Sequence, residues 1–311
     1  MDKNWTVCDN HLASPFYGHC YTEFDSFSGG NLELMSTSTD GGVTWGAATS
    51  TAGHDKGLGG QPVVQPNGNV VVPFESLNNK IESFMSTDGG VSWDGAVSVS
   101  SVHTHQVDGD LRTSPLPSVE IDAAGRVYTA WQDCRFRAKC AANDIVFSTS
   151  SNGTDWTKPA RIPIDDATSS ADHFIPGLAV DPATTGSRAH LALTYYFYPQ
   201  AACDPGCQLD VGYISSPDGG AHWGAATKLA GPMSLSDIAQ TSQGAMVGDY
   251  ISTSFSNGSA VTMFSVGQPH TATTFDQAMW APTTPLSVTS LAGATRPALA
   301  TGAVQHLLRE D

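Results

Sequence analysis

Basic residues are scarce in this chain. Of its 311 residues, 14 are Lys or Arg and 30 are Asp or Glu, a formal net charge of -16. A nucleic-acid binder presents a broad basic face, and these few cations do not make one. No stretch reaches the roughly 18 apolar residues that a membrane-spanning helix needs. Helical periodicity is nearly absent, with a hint of one turn from Val304 to Arg309. The start, Met1-Asp2-Lys3-Asn4, has no apolar leader core, so a secreted chain whose leader has been removed is the expectation. Glycines sit in turns rather than in a phosphate-cradling loop. No CxxC pairs with a second CxxC at zinc-finger spacing, so no zinc site is expected.

What is present is enough for a folded core: 40% hydrophobic residues, seven Trp, 31 Gly and 18 Pro. The six cysteines fall into close pairs, Cys8/Cys20, Cys134/Cys140 and Cys203/Cys207. Even numbers in local pairs predict disulfides and an oxidising compartment.

One pattern recurs four times. It reads Ser38 to Trp45 (STDGGVTW), Ser86 to Trp93 (STDGGVSW), Ser150 to Trp156 (SNGTDW after Ser150) and Ser216 to Trp223 (SPDGGAHW). A degenerate copy ends at Trp280. Asp or Asn folds back onto following backbone N–H groups, Gly takes the positive φ of a tight turn, and Trp packs beneath it. Asp40/Trp45, Asp88/Trp93, Asn152/Trp156 and Asp218/Trp223 are therefore expected to be structural. Around each turn lie short alternating segments: Ser118 to Asp122, Arg126 to Gln132, Asp144 to Ser150 and Ala160 to Ile164 make one set of four. Comparable sets begin near Asn4, Gln61, Gly177 and Gly248. Five such units predict an all-β chain, a β-propeller of four-stranded antiparallel blades in one domain spanning 1–311. Six blades are the alternative, with residues 286–311 supplying part of another. A two-sheet sandwich competes, but its strands need not recur in fours.

The S-x-D-x-G-x-x-W turns resemble the Asp-box, or bacterial neuraminidase repeat, of the sialidase superfamily, over about residues 4 to 285. The resemblance implies a propeller whose boxes lie at the periphery, away from the active site. It also implies a carbohydrate-active enzyme. Sialidases hold the substrate carboxylate with three arginines and use a Tyr/Glu nucleophile and an Asp acid/base. Their first arginine stands in F/Y-R-I-P, whereas here Arg161-Ile162-Pro163 follows Ala160 and no arginine precedes Arg112. The arginine triad is therefore not carried over.

In a propeller the blade-to-blade links and the loops after second strands share the ligand face. Second strands end in Glu23 and Asp25, in Glu75 and in Asp133, and the fourth blade offers Tyr195, Tyr196 and Tyr198. Paired carboxylates are the equipment of glycosidic cleavage. Glu75, Asp133 and Asp110, with Tyr195 and Tyr196, are thus the candidate catalytic groups. Arg112, Arg135 and Arg137, with His173 and Asp55, are the candidate substrate ligands, since a guanidinium fork suits a sugar carboxylate. Two loops closed by Cys134–Cys140 and Cys203–Cys207 would brace this face. His103 and His105 make a weak metal pattern, and no metal is expected there. No cofactor is expected, with a structural calcium left open.

Three functions compete. A secreted, exo-acting, sialidase-like glycoside hydrolase on an acidic glycan leads. A polysaccharide lyase on a uronate glycan would use Arg135, Arg137, His173 and the tyrosines. A non-catalytic glycan- or protein-binding propeller is the third. The expected partner is an oligosaccharide or polysaccharide, with no nucleic acid, no membrane span and a monomeric chain.

Overall fold

The computed structural model describes residues 2–271 and 275–289, and the backbone of 304–306. Other C-terminal residues, including most of the stretch held open for a sixth blade, lie outside the described residues. Among the described residues no helix is longer than a three-residue 3-10 turn.

The first sheet is β1 (Asp2–Cys8), β2 (Cys20–Ser26), β3 (Leu32–Ser38) and β4 (Thr49–Ser50). The second holds β5 (Gly57–Leu58), β6 (Val63–Val64), β7 (Val70–Ser76), β8 (Lys80–Ser86) and β9 (Val97–Ser101), with β5 and β6 both pairing with β7. The third is β10 (Ser118–Ile121), β11 (Val127–Asp133), β12 (Asp144–Ser150) and β13 (Ala160–Arg161). The fourth is β14 (Asp172–Val180), β15 (Leu191–Tyr198), β16 (Gln208–Ser216) and β17 (Thr227–Ser234). A hairpin of β18 (Ala239–Thr241) and β19 (Gly244–Met246) precedes the fifth sheet, β20 (Ser252–Ser256), β21 (Ser259–Gly267), β22 (Gln277–Pro282) and β23 (Val304–His306). Every four-stranded sheet is a meander in chain order, the repeating blade of the β-propeller class.

The chain divides into two compact units. Unit 1 comprises Met1–Val102, Leu116–Ala130 and Phe147–Ala160; unit 2 comprises His103–Pro115, Trp131–Val146 and Arg161–Asp311. In unit 1 the run Val70-Val71-Val72 on β7 is apolar on both faces. Val70, Val72 and Phe74 join Tyr21, Phe84 and Trp93 in one cluster, while Val71 joins Val63, Val119 and Val127 in another. Period-two alternation with both faces buried accounts for an unbroken apolar run. A core cluster of unit 2 includes Phe174, Tyr196, Tyr198, Leu209, Val211 and Phe264.

The four repeated turns share the Ser and Asp/Asn hydrogen bonds, and three of them, all but the Asp88 turn, are also closed by the Trp Nε1. At Asp40 the carboxylate accepts from the Thr44 N–H at 2.8 Å, the Ser38 Oγ accepts from the Gly42 N–H at 2.9 Å, and Trp45 Nε1 donates to the Gly42 carbonyl at 3.2 Å. Hydrogen bonds from the Thr44 hydroxyl, the Thr44 N–H and the Ser38 hydroxyl hold the Asp40 carboxyl down at about 2. Asn152 and Asp218 organise equivalent turns, closed by Trp156 Nε1 to Gly153 O and Trp223 Nε1 to Gly220 O. The three expected disulfides form. Cys8–Cys20 ties the directly paired ends of β1 and β2, Cys134–Cys140 closes the β11–β12 loop, and Cys203–Cys207 closes the β15–β16 loop.

Two tryptophans at one repeat position differ in burial. Trp93 is 3% exposed and meets Tyr21 and Phe84 edge-on, with ring centroids at 6.1 and 5.9 Å; Trp45 is 41% exposed. Trp93→Ala should cost about 3–5 kcal/mol and Trp45→Ala about 1 kcal/mol or less. Urea unfolding of the two variants checks this; equal losses would refute the assignment of Trp93 to the core.

Candidate functional site

Unit 1 contains a sealed group of acids. The β2–β3 register sets Asp25 directly opposite Glu33, and alternation puts Glu23 on the same face as Asp25. Glu23 and Glu33 are 0% exposed and Asp25 is 1% exposed. Glu23 and Glu33 hydrogen-bond carboxyl to carboxyl. Gly60 makes room for Glu23: a Cβ at 60 would lie 2.7 Å from its carboxyl carbon. Burial raises all three carboxyls. Asp25 reaches about 6, and half-buried Glu75 on β7 reaches about 7, against the opposing pull of Lys3. Glu23 and Glu33, side by side, are both raised by burial, and Glu23 keeps its proton the more firmly because Glu33 repels a second charge. Below about pH 6 these acids hold protons out of reach of solvent, and Glu75 is the most accessible of the four.

In unit 2 the loop bridged by Cys134–Cys140 is knotted to its surroundings by polar side chains. Asp133, 0% exposed, accepts from the backbone N–H, Nε and Nη2 of Arg135, from the His103 N–H and from Trp131 Nε1. Asn143 at the end of the loop clamps His105, accepting from its N–H at 2.8 Å and donating to its carbonyl at 2.9 Å. Asn143 also donates twice to Asp172, whose second oxygen lies 3.0 Å from His105 Nδ1.

Beside this network opens a groove of about 1230 Å³, which lies wholly within unit 2. Its walls are the 163–171 segment and the start of β17, including Lys228. Its floor is aromatic. His173 on β14 faces Phe197 on β15 across the ladder, their rings stacked at 5.9 Å, and Tyr195 meets His173 edge-on at 5.5 Å. Tyr195 lies over Gly212, its partner on β16, where a Cβ would come within 2.5 Å of the phenol oxygen. The Asn143 carbonyl accepts from the His173 N–H at 3.0 Å and lies 3.3 Å from His173 Nδ1. His173 Nε2 stands 3.7 Å from Asp165 Oδ2. Burial lowers the His173 imidazole, so it is neutral at pH 7. Burial, helped by Asp165, raises the Tyr195 phenol, so it keeps its proton.

Behind the groove lies an ion-pair network. Arg137 gives Nε and Nη2 to Asp144, Nη2 to Asp165, and Nη1 to the carbonyls of Asp166 and Ser169. That uses all five of its N–H donors. Arg161 pairs with both Asp144 and Asp165. Asp144, Asp165 and His173 bring one ligand atom each within 4.8 Å of one another. The two guanidinium groups already neutralise those carboxylates, and a divalent cation would meet them at contact distance. We therefore assign no metal there.

Of the residues expected from sequence, Arg137, His173 and Tyr195 come together at this groove. Asp133 and Arg135 pair with each other inside the braced loop. Arg112 Nη2 binds Asp249 at 2.8 Å. Asp110 occupies an exposed turn with φ of 54°. Tyr196 points to the opposite face from Tyr195, into the core, where its hydroxyl donates to the Ser265 carbonyl and accepts from the Ser265 N–H, both at 2.8 Å. Glu75 and Asp55 belong to unit 1, where Asp55 accepts from Thr51 Oγ1 and the Ala96 N–H. Sequence reasoning missed Phe197, although its position two residues after Tyr195 signals a shared face. It also missed Glu33, Asn143, Arg161 as a partner of Asp165, and Lys228, for which no local signal exists.

No family profile and no curated protein matches the chain. Solved structures do. A mutant α-L-arabinofuranosidase of Fusarium graminearum in complex with an iminosugar inhibitor is 15% identical, over 92% of this chain and 82% of that one, with a TM-score of 0.51. A Dyadobacter fermentans protein of unknown function is 13% identical over 98% of this chain and 82% of that one, also at 0.51. The NanB sialidase of Streptococcus pneumoniae, 14% identical over 75% of this chain and 32% of its own, reaches 0.44, too loose a likeness to weigh. At these identities the likeness establishes the fold, an all-β propeller class, and leaves activity to the residues.

The unit 1 acids make stability depend on pH. Their folded values lie above the ordinary carboxyl range, so their stabilising contribution is full below about pH 4 and is lost as pH rises through 6 to 7. The Tm should fall between pH 5 and pH 8, and Glu75→Gln or Glu23→Gln should flatten the fall. A wild-type Tm that is level across this range would overturn the account.

Proposed function

We propose that the chain is an extracellular glycoside hydrolase whose substrate lies in the unit 2 groove. The observation that carries this reading is the juxtaposition there of the His173 imidazole, the Tyr195 phenol and the Asp165 carboxylate beside the partly exposed Phe197 ring. His173 takes a proton from a water attacking the anomeric carbon. Tyr195 gives its proton to the departing glycosidic oxygen. Asp165, fixed by Arg137 and Arg161, stabilises the imidazolium that results. Positioned proton transfer of this kind contributes about 10²–10⁴-fold. The three disulfides support an oxidising location. The fold-level neighbour described as an arabinofuranosidase supports including arabinofuranosides among the trial substrates.

Elimination is the second reading. A neutral base beside a protonated phenol also suits removal of a uronate C5 proton, with Tyr195 again protonating the leaving oxygen. Unsaturated products would mark it.

Turnover of a panel of aryl glycosides and polysaccharides tests the proposal. Tyr195→Phe and His173→Gln should each lower kcat by about 10²–10⁴-fold with the fold intact by circular dichroism. Gly212→Ala should lower it too, by pushing the Tyr195 ring aside. Full activity in Tyr195→Phe would remove Tyr195 from the reaction, and silence on every glycan would favour a binding propeller.

A further inference from the structure

Anionic sugars are usually held by arginine forks that make two parallel hydrogen bonds to a carboxylate. The groove has no such fork to give. Every N–H of Arg137 is bound to protein oxygen. Arg161 gives Nη1 to the Asp165 carbonyl and Nη2 to the Asp144 and Asp165 carboxylates, and its Nε is buried from solvent. Lys228, the lysine of the groove wall, has its Nζ in an ion pair with Asp210. The other arginines expected to take a ligand, Arg112 and Arg135, are paired with Asp249 and Asp133. Taking any of these cations for a ligand would strand a partially or fully buried carboxylate, which is costly.

The local charge points the same way. Asp144, Asp165, Asp166 and Asp210 oppose Arg137, Arg161 and Lys228, which leaves an excess of one negative charge, and the exposed side chain there is Asp166. Of the three rings there, Phe197 is the partly exposed one, with Tyr195 at 5.8 Å and His173 adjoining both, each of these two 2% exposed and packed behind it. The apolar face of a sugar ring fits such a platform, and its hydroxyls can donate to carboxylates at the rim. At about 1230 Å³ the groove exceeds the roughly 300–1,000 Å³ of a drug-sized site, room for several sugar residues.

We infer that the groove takes an uncharged oligosaccharide, stacked on Phe197, and discriminates against sialylated or uronate glycans. This rests on the reading of the groove as the substrate site and replaces the acidic glycan expected from sequence.

The test compares two sets of probes, neutral arabino- and xylo-oligosaccharides and anionic sialyl- and galacturono-oligosaccharides, by calorimetry and product analysis at low and high salt. Neutral probes should bind and be cleaved with a Kd that changes less than about 2-fold with salt, because no charge is screened. Anionic probes should bind at least about 10-fold more weakly, the scale of one unfavourable surface charge at low salt. Phe197→Ala should raise KM for neutral probes by about 10-fold through loss of the stacking face. Asp166→Lys should strengthen anionic binding; anionic binding unchanged in this variant would count against charge as the discriminating feature. Preferential cleavage of the anionic set would overturn the inference and leave the enzyme reading standing. Neutral turnover untouched by Phe197→Ala would overturn the placement on the platform. No binding or turnover in either set would overturn both readings.

Discussion

Arg137 donates all five of its N–H groups to protein oxygens, and the shape of the unit 2 groove follows from that. Two donors hold Asp144 on β12, one holds Asp165, and two hold the carbonyls of Asp166 and Ser169. The 163–171 segment has no ladder of its own in this stretch, so these bonds set where it runs. Asp165 is thereby placed beside His173. A fully satisfied guanidinium is tolerable when only 5% of the residue is exposed, because no donor is stranded. Removing it would leave Asp144 and Asp165 facing each other with only Arg161 between them.

The acidic excess of the chain is accommodated in two physically different ways. In unit 1, Glu23, Asp25 and Glu33 are buried, and burial raises their carboxyls toward the protonated form. In unit 2, arginines meet Asp133, Asp144 and Asp165 at hydrogen-bonding distance. Arg135, Arg137, Arg161 and Lys228 each pair with a buried or partly buried aspartate. Arg135 and Arg137, expected from sequence to take a substrate carboxylate, face inward to protein carboxylates.

The repeating turns were legible because their hydrogen bonds are local: Asp40, Asp88, Asn152 and Asp218 reach backbone no more than four residues away. The strand ends carrying Glu23, Glu75, Asp133 and Tyr195 were legible for a similar reason, since alternation and turn chemistry act over short spans. Tyr195 and Tyr196 were read together as catalytic candidates. The pleat sends one to the groove and the other to Ser265, and nothing in the tyrosine pair itself says which face is which. Arg161 was visible only as a motif that failed to match, because its partners Asp144 and Asp165 belong to a strand and a link rather than to any pattern.

The sequence by itself determined the class of fold, the repeated turns and the cysteine pairing, because each depends on residues close together in the chain. Tertiary structure alone decided which charges are available. An arginine on a loop has the same composition whether it faces solvent or a buried aspartate, and only the packing of β12, β14 and the 163–171 segment turned Arg137 from a candidate ligand for substrate into the brace of the groove.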